Sequence, residues 1–134
     1  MAKTPKAKFK LGDRPESFPK ITVSFKTNRG QEAEIEVVFK YRTREEFGAF
    51  VGEHFATAGA EFPRTDDGQI DYEAIAKQST GNDAAYLKGA IQGWDLEDEL
   101  ALKTLQQLAN EQPAAIVALK TAYAGACNEG RLGN

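Results

Sequence analysis

Alternating apolar and polar residues mark the first regular part of the chain. Between residues 20 and 41, apolar side chains recur at every second position on both sides of the turn Asn28-Arg29-Gly30. A period of two is typical of strands with one buried face, and Asn and Gly tolerate the positive φ angles of tight turns. The pattern predicts a β-hairpin over residues 20 to 41. Because an isolated hairpin is only marginally stable, its apolar face needs a covering layer.

From residue 43 onward the apolar spacing becomes helical. Thr43 and Glu46 stand at the spacing of a capping box, in which each side chain accepts from the other residue's backbone amide, so a helix should begin here. Gly48 and Gly52 lie in this helix, and their cost in helix stability suggests close packing against another element. The apolar stripe, which we expect to cover the hairpin, contains Phe47, Phe50, Val51, His54, Phe55 and Ala58.

Further helices are predicted after a loop over residues 59 to 69. Asp71 should cap a short helix, which residues 79 to 82 separate from a second helix running from about residue 83 to 91. A Leu-rich helix then contains Leu102, Leu105, Leu108 and Ala109. Pro113 opens the last helix. Its expected inward residues are Ile116, Leu119 and Tyr123. The fold class predicted is α+β, an N-terminal antiparallel hairpin packed against a body of four to five helices.

Gly93, Trp94 and Asp95 are expected to form a structural hinge between two helices. Gly93 follows the last periodic residue, Ile91, and suits a helix C-cap because glycine enters the left-handed region without steric strain. Trp94 is the only tryptophan and should fold back on the preceding helix, which favours a buried ring over one that faces a partner. If the ring lies in the core, Trp94→Ala should cost about 3 to 5 kcal/mol.

Length and composition fit one domain. The chain has 134 residues, of which 41% are hydrophobic and 28% charged, and no apolar run approaches the ~20 residues of a membrane span. The first 18 residues are basic and poor in large apolar groups, so we expect a flexible basic arm over residues 1 to 18 and a single domain over residues 19 to 134. A basic segment can bind nucleic acid, but the acidic remainder would repel phosphates.

Candidate chemistry is sparse in this sequence. His54 and Cys127, the only histidine and the only cysteine, are both expected to pack rather than react, and a single cysteine forms no internal disulfide. The segment around Gly68 resembles half of a calcium-binding loop, but the matching register places Ala74 where a bidentate glutamate is needed. The acidic residues between 95 and 99 fit a solvated turn. We therefore predict no catalytic, cofactor or metal site, and no enzyme activity.

Several short motifs occur in an order that resembles one known family. They are Lys8 to Leu11, Phe39 to Arg44, Gly93-Trp94-Asp95, the Leu-rich helix, Pro113-Ala114-Ala115, Ala122-Tyr123 and residues 131 to 134. Their order and spacing along nearly the whole chain are similar to those of tail assembly chaperones of long-tailed bacteriophages. One departure is Ala101, where such proteins often place a capping hydroxyl residue.

The resemblance implies a non-enzymatic protein that works in the host bacterial cytoplasm and is not part of the mature virion. Such a chaperone binds the tape-measure protein and keeps it soluble until the tail tube polymerises. Family members often self-associate and are often made in a longer, frameshifted form, so we expect a homo-oligomer and a frameshift-extended form as partners. No cofactor, membrane or nucleic-acid partner is expected.

Candidate partner-binding residues follow from this interpretation. We expect an apolar groove among the helices after Arg42, lined by Phe47, Phe50, Leu105 and Tyr123, although all four also suit an ordinary core. The alternative is a small nucleic-acid-binding or regulatory module that uses the basic arm and hairpin. Binding of that kind would weaken steeply with added salt.

Overall fold

The structure is a computed structural model that describes residues 6 to 58 and 63 to 132. Within these ranges the chain forms, in order, β1 (Ile21–Lys26), β2 (Glu32–Phe39), α1 (Arg44–Ala58), α2 (Tyr72–Ala90), β3 (Ile91–Trp94), α3 (Leu102–Glu111) and α4 (Pro113–Glu129). The side chains of the stripe residues Phe55 and Ala58 lie outside the described part, as do the last two residues of the C-terminal motif. The α+β prediction is confirmed.

The predicted hairpin is confirmed as β1 and β2. Its antiparallel register runs from Ile21 opposite Val37 to Lys26 opposite Glu32, and Gly30 adopts a φ of +75° in the turn. The sequence pattern did not predict β3, which pairs antiparallel with the other edge of β2. The sheet order β1-β2-β3 makes β1 and β3 the edge strands of the described sheet.

One face of the sheet packs against the helices and forms the core. Alternate residues of β1 and β2 reach this face because side chains alternate along a strand. The largest fully buried side chains are Tyr123, Phe39, Ile35, Leu87, Ile91, Leu105, Leu119 and Val37. Burying one side chain of this size stabilises the fold by roughly 1.5 to 3 kcal/mol. Within the described residues no buried side-chain polar atom lacks a hydrogen-bond partner, so unpaired groups do not offset this gain.

The predicted capping box at the start of α1 is confirmed. The Glu46 amide donates to Thr43 Oγ1 at 3.2 Å, and the Thr43 amide donates to Glu46 Oε1 at 2.9 Å. Two backbone donors that the helix itself leaves without partners are thereby satisfied. Phe47 and Phe50 are buried on the inner face of α1, as the stripe predicted. His54 is half-buried, and its ring lies 4.5 Å from that of Phe50, in agreement with a packing role.

The prediction that α1 covers the hairpin is wrong. α4 lies along β1, while α1 packs mainly on α4 and α2. The aromatic rings show the same arrangement, since Tyr123 of α4 lies between Phe39 of the sheet, at 4.9 Å, and Phe47 of α1, at 5.4 Å. α4 is therefore the central helix, and it connects the sheet to α1.

α2 is one continuous helix, so the predicted interruption over residues 79 to 82 is wrong. One glycine in a helix costs only about 1 kcal/mol, and the burial of Ala84 and Leu87 against neighbouring elements outweighs that cost. The predicted cap at Asp71 is confirmed, because its Oδ1 accepts from the Ala74 amide at 3.0 Å. Before this cap, Gly68 adopts a φ of +82° in a tight turn.

The glycines of α1 do not mark close packing, contrary to the expectation from sequence. A Cβ added to Gly48 or Gly52 would meet no atom within 4 Å. The close approach occurs instead in α2, where a Cβ on Gly89 would lie 2.7 Å from Cε1 of Phe50. Gly89 is thus the position where α2 needs a glycine against α1.

This difference predicts opposite effects of two similar substitutions. Gly89→Ala should destabilise the protein by about 1 to 3 kcal/mol because the Phe50 ring must move within a packed core. Gly48→Ala should stabilise it by about 0.5 to 1 kcal/mol because alanine restricts the unfolded chain and meets open space in the helix. Denaturant unfolding of the two variants measures both values. Equal effects of the two substitutions would contradict this packing.

The last two helices contain most of the buried residues that their sequences predicted. Pro113 occupies the start of α4, as predicted, and Gly130 ends α4 with a φ of +69°. The predicted inward residues Ile116, Leu119 and Tyr123 are all buried. In α3, Leu105 and Ala109 are buried and Leu108 is half-buried, whereas Leu102 is 46% exposed. Ala101 stands at the N-cap of α3 without a side-chain hydrogen bond.

The basic arm is attached to the sheet at its base and exposed beyond it. The Phe18 amide donates to the Phe39 carbonyl at 2.9 Å, and the Tyr41 amide donates to the Glu16 carbonyl at 3.2 Å. Residues 6 to 15 are exposed. The flexibility of residues 1 to 18 remains a prediction.

An ion pair connects the arm to α1. Arg14 Nη1 lies 2.8 Å from Glu46 Oε1, and the guanidinium lies 5.1 Å from the centre of the Tyr41 ring. The hydrogen bonds from the Arg14 side chain and the Thr43 amide lower the pKa of Glu46 from 4.5 to about 2. Since the folded pKa is the lower one, the ionised carboxylate stabilises the fold above pH 4.5, and this contribution is lost as the pH falls toward 2.

The ion pair therefore predicts a specific acid sensitivity. Between pH 4.5 and about 2, the free energy of unfolding should fall less in Glu46→Gln than in the unchanged protein, because glutamine does not titrate. Glu45→Gln is the matched control, since Glu45 is an exposed neighbour in the same turn. Chemical unfolding at several pH values gives the comparison. Equal pH dependence in all three proteins would contradict the assigned pair.

Candidate functional site

The four candidate partner-binding residues lie in the core. Phe47 and Phe50 are 7% and 6% exposed, and Leu105 and Tyr123 are 0% exposed. These side chains hold α1, α3 and α4 against the rest of the domain. All four side chains thus take the place in the core that their sequence also suited.

Arg42, which the sequence did not single out, makes the main polar contacts inside this aromatic core. Its Nη1 donates to the Gly89 carbonyl and to the Tyr123 hydroxyl, both at 2.8 Å. Its guanidinium carbon lies 4.0 Å from the centre of the Phe50 ring, a favourable cation–π distance. The segment after β2 is thereby connected to α1, α2 and α4 through one side chain.

The titratable groups around Arg42 are held neutral. Burial raises the pKa of Tyr123 to about 12, so the phenol stays protonated and donates to the Lys40 carbonyl at 3.0 Å. Burial also raises the pKa of the Cys127 thiol. A thiol with a raised pKa is a poor nucleophile, because the thiolate is the reactive form. The neutral phenol and thiol therefore contribute packing and hydrogen bonding around Arg42.

The Gly93-Trp94-Asp95 segment is not a glycine-capped hinge. Gly93 lies in β3 opposite Val38. α2 ends at Ala90, one residue before the predicted end, and Ile91 already has an extended conformation. The left-handed cap predicted at Gly93 is therefore wrong, because the chain passes directly from helix to strand. The Asp95 amide donates to the Glu36 carbonyl at 3.1 Å, and the Glu36 amide donates to Asp95 Oδ1 at 2.9 Å. Asp95 thus extends the pairing with β2.

Trp94 is half-buried rather than a core residue. The ring packs on the edge of the core, and Nε1 donates to the Asp98 carbonyl at 3.0 Å. Trp94→Ala should therefore cost about 1 to 3 kcal/mol, less than the value expected for a fully buried ring. Trp94→Phe retains most of the apolar contact and should recover more than half of that loss in thermal unfolding. A loss above about 4 kcal/mol for Trp94→Ala would show that the ring is a core residue.

The acidic stretch after β3 takes part in the backbone structure around it. Asp95 is engaged with β2, and the carbonyl of Asp98 accepts from Trp94, so two of its members order the turn. Among the described residues, no three His, Cys, Asp or Glu side chains are grouped as metal ligands. In the same part of the chain, no helix is long and apolar enough to cross a membrane.

The outer face of α4 is exposed and carries uncharged side chains. Ala114, Val117 and Thr121 follow one another at spacings of three and four residues and are exposed, Val117 at 66%. Lys120 is the only charged residue between positions 113 and 128, and it points away from this face to pair with Asp83. We call the exposed surface of residues 114, 117 and 121 the α4 outer face.

A sequence signal for the α4 outer face was present but was not used. A helix that is apolar nearly all round has more apolar surface than one core contact needs. The prediction considered only the inward residues of α4 and therefore missed the opposite side.

A cleft lies between the edge strand β1 and the flank of α4. It has a volume of about 390 Å³ and is lined by residues 21 to 24 and by Ala118, Thr121, Ala122, Gly125 and Arg131. Gly125 allows Arg131 to lie against the helix, since a Cβ at Gly125 would meet the guanidinium at 3.0 Å. We call this space the β1–α4 cleft. Its small side chains leave room for larger apolar groups of a partner.

The comparisons with known proteins agree with the motif order. A family model described as "phage tail assembly chaperone" matches residues 1–134, the whole chain. None of the curated proteins and none of the solved structures matches it. Since the match covers every element described above, the chain belongs to the phage tail assembly chaperone family.

Proposed function

We propose that this protein binds the tape-measure protein in the host bacterial cytoplasm and keeps it soluble until the tail tube polymerises around it. Membership of the phage tail assembly chaperone family supports a chaperone role in tail assembly. The half-buried Cys127, whose thiol has a raised pKa, and the packed His54 suit a non-enzymatic protein. Binding is thus the activity that the domain suits best.

The α4 outer face is the single observation that carries the proposal. A long helix with an exposed apolar stripe aggregates unless another surface covers that stripe. Helix-in-groove recognition covers it by placing apolar residues at spacings of three and four against a complementary surface. Ala114, Val117 and Thr121 have this spacing, and their small size permits two helices to approach closely. A tape-measure helix laid along α4 would therefore bury its apolar stripe against Ala114, Val117 and the methyl group of Thr121.

Self-association would strengthen such a coat. Contact with one exposed helical face is weak by itself, but copies joined to one another bind a long partner through a high effective concentration. We therefore also propose that the protein forms a homo-oligomer and that a frameshift-extended form of the chain joins it. The acidic residues Glu97, Asp98 and Glu99 are exposed and would guide basic patches of the partner toward the domain.

Co-purification with the tape-measure protein tests the proposed surface. Val117→Asp places a charge in the centre of the α4 outer face and should reduce the co-purified tape-measure protein at least tenfold. Tyr72→Asp is the matched control, because Tyr72 is 75% exposed on α2, away from this face, and should retain binding. Since both side chains are exposed, both variants should fold. Equal recovery with the two variants would show that the tape-measure protein binds elsewhere.

A nucleic-acid-binding role is the second candidate, and one observation favours it. Lys6, Lys8 and Lys10 are exposed on the arm, where phosphates have access. Titration of labelled DNA and RNA at increasing salt separates the two functions, because phosphate binding weakens steeply with salt. Salt-sensitive binding that is lost when these three lysines are replaced by glutamine would favour the nucleic-acid function.

A further inference from the structure

We propose that the Lys8-to-Leu11 segment of one copy adds as a fourth strand to the β1 edge of a second copy, with Phe9 and Leu11 in the β1–α4 cleft. This interface deepens the self-association included in the proposed function. It does not depend on tape-measure binding, which is assigned to the α4 outer face, and Thr121 borders both surfaces.

β1 is an edge strand with a cleft beside it. In the described sheet its only neighbour is β2, so backbone N–H and C=O groups along its other side are available for pairing. Residues 21 to 24 of this edge also line the cleft against α4. A strand added there would gain main-chain hydrogen bonds from β1 and apolar contacts from α4, which is how many domains bind extended segments.

The arm has the pattern of a strand that lacks a sheet. Lys8, Phe9, Lys10 and Leu11 alternate between charged and apolar, so an extended conformation would place both apolar groups on one face. Phe9 is 87% and Leu11 89% exposed, the highest values among the large hydrophobic residues of the described part. Because both side chains are large and apolar, a binding site that removes them from water lowers the free energy.

The lengths and faces of the two segments match. Four extended residues span about 13 Å, and the cleft is bordered by four residues of β1. Residues directly opposite each other in a sheet share a face. With the arm antiparallel to β1, Phe9 placed opposite Val23 and Leu11 opposite Ile21 would therefore point to the helical side, where Ala118 and Ala122 leave room.

The same register places the lysines opposite short side chains and near carboxylates. Lys8 and Lys10 would face the outer side of the sheet, where β1 presents Thr22 and Ser24. Beyond these short residues, β2 presents Glu34 opposite Ser24, and Glu36 opposite Thr22, where Lys20 already pairs with Glu36 at 3.4 Å. A lysine side chain is long enough to extend across a neighbouring strand toward such a carboxylate. Charge complementarity thus favours binding of the arm lysines on the outer face of the sheet, and apolar contact favours binding of Phe9 and Leu11 on its helical face.

A second copy is the occupant because the single chain leaves both surfaces open. The arm of the same chain is held by the hydrogen bond between Phe18 and Phe39 and by the ion pair between Arg14 and Glu46, and residues 6 to 13 lie exposed outside the cleft. Exchange of the arm between copies would fill each cleft and cover each arm. Two copies can exchange arms reciprocally, and a chain of copies can pass arms in one direction.

Self-association of the full chain is the first test. Sedimentation velocity should show association of the unchanged protein with rising concentration, and the double variant Phe9→Asp with Leu11→Asp should weaken it at least tenfold. The melting temperature of the monomer should not change, since both side chains are exposed. Tyr72→Asp, with a similarly exposed apolar side chain, should associate like the unchanged protein. Unchanged association of the double variant, or a strictly monomeric unchanged protein, would overturn the inference.

Cysteine cross-linking tests the partner edge. With Cys127→Ala as background, one chain carries Lys10→Cys and a second, differently tagged chain carries Thr22→Cys or Ser24→Cys. Mild oxidation should link the two tags, and Tyr72→Cys in place of either β1 position should not link to Lys10→Cys. A link that forms only within a doubly substituted single chain would show that the arm binds its own edge, and absence of any link would exclude the β1 edge.

The two proposals fail separately. Val117→Asp should lose the tape-measure protein while it retains self-association, and the arm variant should lose self-association while each copy retains its α4 outer face. Loss of both properties in the arm variant, with no loss of either in Val117→Asp, would show that the arm itself binds the tape-measure protein.

Discussion

Replacing Tyr123 with alanine should lower the free energy of unfolding by about 3 to 5 kcal/mol. Tyr123 is fully buried on the central helix, between Phe39 and Phe47, and its hydroxyl connects Arg42 to the Lys40 carbonyl. Alanine would leave a cavity where sheet, α1 and α4 meet. Urea unfolding followed by circular dichroism measures the loss.

A milder substitution at Tyr123 distinguishes the contribution of the ring to stability from that of the hydroxyl. Tyr123→Phe retains the packed ring but removes the hydrogen bonds of the hydroxyl with the Lys40 carbonyl and with Arg42 Nη1. This substitution should lower the free energy of unfolding by about 1 to 3 kcal/mol. Tyr72→Ala, at a side chain that is 75% exposed, should stay within about 0.5 kcal/mol of the unchanged protein. A Tyr123→Ala loss below about 1 kcal/mol would show that Tyr123 is not central to the core.

Replacing Arg42 with methionine should have the second largest effect, about 2 to 4 kcal/mol. Methionine retains the apolar stem but removes the bonds to the Gly89 carbonyl and the Tyr123 hydroxyl and the charge over the Phe50 ring. Lysine should not restore the loss, because a compact ammonium lacks the planar fork of the guanidinium. Arg44→Met is the control, since exposed Arg44 makes one bond to the Asn128 carbonyl.

The two substitutions should also be coupled. Because Arg42 and Tyr123 share a hydrogen bond, the double variant Arg42→Met with Tyr123→Phe should lose less stability than the sum of the single losses, by about 0.5 to 3 kcal/mol. Additive losses would mean that the two side chains act independently. The melting curves of the four proteins in this cycle provide the comparison.

Local sequence signals were sufficient for most of the elements. The period of two defined β1 and β2, and the capping residues Thr43, Asp71 and Pro113 gave the starts of three helices. These signals are local because strand alternation and helix caps depend on residues within a few positions of one another. The buried residues of α4 followed from its helical period for the same reason.

Contacts between segments far apart in the chain could not be predicted from local sequence patterns. β3 has only four residues, and its strand conformation depends on β2, which is more than fifty residues away in the chain. The α2 break was predicted from Ser79 to Asn82 because local propensity was weighed without the tertiary contacts that stabilise the helix. Both errors arise because packing outweighs weak local preference.

The candidate site was harder to predict than the fold. Aromatic residues such as Phe50 and Tyr123 attract attention as binding residues, yet a domain of this size needs them in its core. The exposed surfaces that remain are made of small residues on α4 and two apolar residues on the arm. Such residues become candidates only when the structure shows which face the core has left uncovered.

The most direct test of the central proposal is the solubility of the tape-measure protein. It should be expressed from its own gene alone, with this chaperone, and with the Val117→Asp variant, and the soluble fraction of each should be measured after centrifugation. We predict that the tape-measure protein is largely insoluble alone, becomes soluble with the unchanged chaperone and co-purifies with it at low salt, and returns to the pellet with Val117→Asp. A tape-measure protein that is equally soluble in all three cases and never co-purifies would contradict the proposed function.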